Sequence, residues 1–156
     1  MYGKYPSVIS FDRLTRPCSW EGSGISSLKV TLVSGRSLGQ GRSKVIGKFS
    51  EEYFRSVAVC ELDPEDIKSL GISPGQNVII TTKTGSVVVK SAIASQSSRR
   101  GIIFMPYGLW VNMLIPTETY GTGMPSMKGI EAEVAGAPDE KLMDLRDLVK
   151  SLAGGA

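Results

Sequence analysis

Six short apolar stretches, each cut off by glycine, proline or a turn-forming pair, commit this chain to strands joined by turns. Lys29–Val33 alternates polar and apolar residues and breaks at Ser34-Gly35. Val57–Leu62, Asn77–Thr82, Ser86–Lys90, Ile102–Met105 and Ile130–Val134 repeat the pattern, and in the last of them Ile130, Ala132 and Val134 are expected to face inward. Lys83-Thr-Gly85 closes a hairpin between the third and fourth stretches, and Pro106 ends the fifth. With Gly at 18 and Pro at 8, the chain is punctuated too often for a helical bundle. None of the stretches approaches the roughly 20 residues that a membrane span requires.

Helical signals are few. Ser50 is placed to cap a single turn over Ser50–Arg55, with Tyr53-Phe54 packing inward. Asp63-Pro64 reads as the N-cap and first position of a short helix, with Glu65 and Asp66 at its positive end and Leu70-Gly71 as its stop. Gly35, Gly39, Gly41 and Gly47 predict a loop over 35–47 with little regular structure. After Ala135-Gly-Ala-Pro138, Asp139 is expected to cap a helix whose apolar stripe is Leu142, Leu145, Leu148, Val149 and Leu152. Six strands, two helices and long glycine-rich connections fit a small closed barrel better than a parallel α/β sheet, without fixing its topology. The organisation expected is an arm over 1–27, a barrel over 28–137 and a C-terminal helix and tail over 138–156. The arm is either disordered or laid across a partner.

The sequence contains no histidine, which removes a histidine general base, a Ser-His-Asp triad and a histidine metal ligand together. Cys18 and Cys60 alone cannot supply the four ligands of a structural zinc site, and as two lone cysteines they read as reduced thiols. The N-terminus lacks the apolar core of a signal peptide, so a cytoplasmic protein is expected. A net charge of +3 is too small to argue for nucleic acid, but its distribution is informative. No Asp or Glu occurs from Gly22 to Ser50 or from Ile67 to Thr117, while Lys29, Arg36, Arg42, Lys44, Lys48, Lys68, Lys83, Lys90, Arg99 and Arg100 do. Such stretches suit either a surface kept clear for an anionic ligand or buried strands in which acids are rare anyway.

Three segments carry a family resemblance: Leu32-Val-Ser-Gly-Arg-Ser-Leu-Gly-Gln-Gly41, Leu70-Gly-Ile-Ser-Pro-Gly-Gln-Asn-Val-Ile-Ile-Thr-Thr-Lys-Thr-Gly-Ser-Val-Val-Val89, and Phe104-Met-Pro-Tyr-Gly-Leu-Trp-Val-Asn112 followed by Tyr120-Gly-Thr-Gly-Met-Pro-Ser-Met-Lys128. In this order they resemble the molybdopterin-dinucleotide-binding domain, and at this length the small, free-standing D-type subunit of formylmethanofuran dehydrogenase. The resemblance covers about Leu28 to Pro138. It implies a six-stranded double-psi β-barrel with short helices and a C-terminal helix. It also implies a subunit with no catalytic residue of its own, in an oxidoreductase complex that reduces carbon dioxide to formylmethanofuran. The implied cofactor is molybdopterin guanine dinucleotide in its bis form, shared with another subunit that ligates the molybdenum or tungsten. That catalytic subunit is the implied chief partner. The equivalent subunit of another molybdopterin oxidoreductase, such as a formate dehydrogenase, and a non-enzymatic barrel serving as a binding module are the alternatives.

The candidate cofactor-binding residues are Ser34, Gly35, Arg36, Gln40, Pro106, Tyr107, Gly108, Trp110, Asn112, Gly123 and Lys128. Glycine at 35 admits a phosphate close to backbone N–H groups, and Arg36 offers a planar charged fork. Gln40 has the reach for a ribose hydroxyl or the pterin, and Asn112 presents donor and acceptor to a ring edge. Each has an ordinary alternative: a strand-ending turn at Gly35-Arg36, an apolar lid at Tyr107–Asn112, a solvated lysine at 128. Packing is the favoured role for Trp110. Arg99-Arg100 falls in a serine-rich loop and reads as solvent-facing. Removal of residues 1–27 is expected to leave the barrel folded while weakening its retention by partner subunits. Co-purification of the truncated chain at wild-type yield would refute that role for the arm.

Overall fold

A computed structural model describes residues 26–95 and 99–153. Nearly all of the expected arm, with Cys18, and the side chain of Leu152 lie outside that range. Within it, the order of elements is β1 (Ser27–Gly35), α1 (Leu38–Ile46), α2 (Glu51–Val57), β2 (Val59–Leu62), α3 (Pro64–Ser69), β3 (Asn77–Thr81), β4 (Ser86–Ile93), β5 (Ile102–Pro106), α4 (Leu109–Asn112), β6 (Lys128–Gly136) and α5 (Leu145–Ala153). The six strands close into a barrel in the order β1-β5-β2-β4-β3-β6. Two neighbouring pairs, β1/β5 and β2/β4, are parallel; the described antiparallel pairs are β1/β6, β2/β5, β3/β4 and β3/β6. Exchanging the first three strands with the last three maps this pairing onto itself. That two-fold arrangement, with its two interlocked parallel crossings, is a double-psi β-barrel.

Period-2 alternation fills the interior. Leu32, Leu62, Val78, Ile80, Val89, Ile103, Met105 and Val134 have no exposed surface. Of the three inward residues expected in the last strand, Ala132 and Val134 are buried, and Ile130 is partly buried against the core. Gly129, at φ 75°, is the extra residue where pairing shifts from Leu32↔Ile130 to Val33↔Lys128, a bulge that turns the start of β6 toward the end of β1. No helix among the described residues is long and apolar enough to cross a membrane.

Two caps match their sequence signals. Ser50 Oγ accepts from Tyr53 N (3.1 Å), and Asp63 Oδ1 accepts from Glu65 N (2.9 Å) with Pro64 opening α3. Val57, expected in a strand, instead ends α2, and β2 starts at Val59. The expected loop over 35–47 contains a nine-residue helix, α1, capped by Ser37 Oγ on Gln40 N and terminated at Gly47, where φ is 138°. Its glycines cost helix propensity and face open space; the contact with α2 is made by Ser43, whose Oγ meets Ser56 Oγ at 2.7 Å. The C-terminal helix starts at Leu145, not after Asp139: Asp144 Oδ1 takes Asp147 N, while Met143 O accepts the Trp110 indole and Glu140 O accepts Asn77 Nδ2. Those tertiary bonds keep 140–143 out of the helix and delay its start.

A buried carboxylate fixes the far end of the barrel. Asp66, 1% exposed, accepts Gly101 N at Oδ2 (2.7 Å), with Arg100 Nε 3.7 Å from Oδ1, and so ties α3 to the entry of β5. Asp66→Ala strands a buried donor, and urea melts should show a loss of about 1–3 kcal/mol. Glu65→Ala, which removes only an exposed pair with Lys68, should cost under about 0.5 kcal/mol.

Candidate functional site

The barrel brings sequence-remote segments to one rim. Ser34 and Gly35 run parallel beside Met105 and Pro106, and on the other side Val33 pairs with Lys128. Ser34 Oγ donates to Met105 O (2.9 Å), Ser34 N donates to Met127 O (2.9 Å), and Tyr107 N donates to Gly35 O (2.9 Å). Ser34 is fully buried, so its hydroxyl is a clamp between strands and not a group presented to a ligand.

From this rim a cleft of about 750 Å³ runs along the outer face of β5. Val33 and Phe104 form part of its lining, Arg36 and Gly39 enter from the start of α1, and Arg99 enters from the loop before β5. A Cβ at Gly35 would lie 3.3 Å from Phe104 Cε2, so glycine keeps β1 close to that ring. At Gly39 the space within 4 Å is open. Neither Arg36 nor Arg99 has an ion-pair partner among the described residues. Glu61 is the carboxylate of the cleft, and its Oε2 takes Ser95 N at 3.4 Å. Two free guanidinium groups suit an anion such as a pyrophosphate, Phe104 gives an apolar surface, and Glu61 can accept from the amino and imino N–H groups of a heterocycle. Arg99 is exposed, as expected, and also lines this cleft; the signal for that second role is the long acid-free stretch around it.

The other candidates divide by position. Tyr107, half-buried, and Lys128, exposed, sit on the same rim as Gly35, and Pro106 is buried beneath them. Gln40 lies in the first turn of α1 with its side chain half-buried. Gly108 permits a close approach, since a Cβ there would lie 3.1 Å from Val57 Cβ. Trp110 is fully buried: its ring meets Phe54 edge-on at 5.3 Å, and its Nε1 donates to Met143 O (3.2 Å), so no face is open to a ligand. Asn112 is exposed at the end of α4, and Gly123 is exposed at φ 73° in the loop before β6; of the candidate residues, Arg36 alone lines the cleft.

The family described as Molydopterin dinucleotide binding domain matches residues 30–131. The chain belongs to this family. Protein FwdD of Methanocaldococcus jannaschii is 32% identical to this molybdopterin-dinucleotide-binding chain over 128 residues, covering 79% of this chain and 94% of that one. The C-type subunit of the molybdenum-containing formylmethanofuran dehydrogenase 1 of Methanothermobacter thermautotrophicus is 32% identical over 130 residues, covering 82% of this chain but 32% of that longer protein. Acetylene hydratase from Pelobacter acetylenicus shares the fold, with a TM-score of 0.52 and 16% identity over 69% of this chain and 18% of that enzyme.

The cleft of this family member fits the dinucleotide that names the family. Its volume is that of a cofactor pocket, its cations have no ion-pair partner among the described residues, and Gly39 leaves backbone approachable. Metal ligation is another matter, since no group of three or more Cys, Asp or Glu side chains that could hold a metal ion occurs among the described residues. Cys60 is fully buried; burial first and the Glu61 charge second push its thiol far above the usual range, so it stays protonated and unreactive. In a Cys18→Ser background, a thiol reagent at pH 8 should label Cys60 only after denaturant unfolds the chain. Prompt labelling of the folded chain would contradict the packing described for β2.

Proposed function

We propose that this chain is the cofactor-holding subunit of a formylmethanofuran dehydrogenase, with the cleft beside Arg36 receiving the dinucleotide tail of a molybdopterin. The names of its relatives support the enzyme, and two guanidinium groups in one cleft, Arg36 and Arg99, neither in an ion pair among the described residues, are the observation that carries the site. When bound, the cofactor supplies the molybdenum or tungsten centre at which carbon dioxide is reduced before transfer to methanofuran. The bis form of the guanine dinucleotide, shared with a cytoplasmic partner subunit that ligates the metal, belongs to the same proposal.

The work of this chain is binding and orientation. Arg36 and Arg99 hold pyrophosphate oxygens from two sides, while Gly39 leaves space for phosphate beside the helix start. Glu61 accepts from a ring N–H edge, and Phe104 packs beneath it. Lys128 and Tyr107 extend the contact along the rim. Because the clamp residues Ser34 and Pro106 are buried, the rim keeps its shape whether or not the cleft is filled.

The test is cofactor retention by the assembled complex. Arg36→Ala and Arg99→Ala each remove a charged phosphate contact worth about 1.5–3 kcal/mol, which weakens retention roughly 10-fold or more. Nucleotide released by acid extraction and counted per complex should fall in both variants, with far-UV circular dichroism and melting of the chain unchanged. Wild-type nucleotide content in the double variant would overturn the site.

A further inference from the structure

Helix α1 is inside out. Of its nine residues only Ser43 is buried, and that side is filled by small polar contacts: Ser43 Oγ to Gly39 O (2.9 Å) and to Ser56 Oγ (2.7 Å). Its apolar residues point the other way. Leu38 is 81% exposed, Val45 88% and Ile46 62%, and Phe49 in the turn beyond is 70% exposed. Leu38, Arg42 and Val45, at i, i+4 and i+7, share one stripe. Every other helix of more than four residues here places apolar side chains in the core: Tyr53 and Val57 from α2, Ile67 from α3, Leu145 and Leu148 from α5.

Cations dominate the border of this stripe; its acids are Glu61, which shares the cleft with Leu38, and Glu51 and Asp144, which share a groove with Lys48 and Phe49. Arg42, Lys44 and Lys48 are exposed, and none has an ion-pair partner among the described residues. No acid occurs from Gly22 to Ser50, and Glu51, the next one, is engaged by Arg55 within α2. An apolar centre with an unpaired cationic border complements a protein surface with an apolar centre and an acidic border. Leu38 belongs both to this stripe and to the lining of the cleft, so whatever covers α1 also reaches the cleft mouth.

We propose that the outer face of α1, from Leu38 to Phe49, is the docking surface for a second subunit with an acid-bordered apolar patch, seated over the cleft mouth. The inference rests on the reading of this chain as a subunit of a larger enzyme, and it names where that enzyme takes hold. It also gives α1 a reason to exist: a glycine-bearing helix with no core residues of its own persists because both of its faces are used.

The experiment compares Val45→Asp, Val45→Leu and the pair Lys44→Glu/Lys48→Glu in the full chain expressed with the other subunits of its complex. Val45 makes no core contact, so melting of the isolated Val45→Asp chain should match wild type. Its association with the partner subunit should weaken roughly tenfold or more, as expected for a charge placed in an interface centre. Val45→Leu should assemble normally. The charge-reversed pair should also weaken association, and the wild-type affinity should fall as salt rises. Amides of 42–49 should be protected from hydrogen exchange in the complex and not in the isolated chain. Wild-type assembly by Val45→Asp would overturn the proposal. So would an isolated wild-type chain that dimerises until Val45→Asp is introduced, since the occupant would then be a second copy. Failure of this docking face leaves the cofactor proposal intact if Arg36→Ala still loses nucleotide; loss of assembly by Val45→Asp with no nucleotide in the wild-type complex would do the reverse.

Discussion

A hydroxyl with no access to solvent joins the strands that form one rim of the barrel. Ser34 donates from Oγ to β5 and from its backbone N to the residue before β6, while Gly35 receives Tyr107 N one step further on. These bonds sit at the end of the parallel β1/β5 pair, a long-range contact with about seventy residues between Ser34 and Met105. A buried hydroxyl left without its acceptor would cost on the order of 1–3 kcal/mol, so the register of that pair is specified by polar satisfaction as well as by the apolar alternation. The placement of Arg36, one residue past the clamp, inherits that precision.

How much of this was legible depended on how local each cause is. Strands showed in the period-2 alternation, and the caps at Ser50 and Asp63 showed because both partners lie within three residues. Helix α1 did not show, since the contact that seats it is Ser43 against Ser56 of α2, while its own glycines argue for a loop. The start of α5 was misplaced for the same reason. Asp139 and Asp144 are equally good caps in sequence, and only the claims of Trp110 and Asn77 on the carbonyls of Met143 and Glu140 decide between them.

The site was legible in part, on the same logic. Gly35 and Arg36 were visible as a strand end bearing a cation, and the barrel places them where an anion can be met. Trp110 showed as an aromatic in a suggestive motif, yet the fold spends both its ring and its indole N–H on packing. Arg99 was hidden by its serine-rich surroundings and enters the cleft before the start of β5, at the other end of the parallel β1/β5 pair from Arg36. Glu61 lay within a strand as an ordinary outward residue. What makes it part of the site is its pairing with Phe104 across β2 and β5.

Two features stand together on this chain: a cleft lined by Arg36 and Arg99, and beside it a helix, α1, whose apolar residues face outward. These two features are economical only together. An open cleft holding a multiply charged nucleotide loses strength to salt and water, whereas a protein surface laid across its mouth lowers the local dielectric and strengthens each guanidinium contact. Covering α1 therefore does more than attach a partner. On the docking proposed for α1, it would turn the cleft from a surface groove into an enclosed one, and affinity for the nucleotide and affinity between subunits would then be coupled, each raising the other by the same factor.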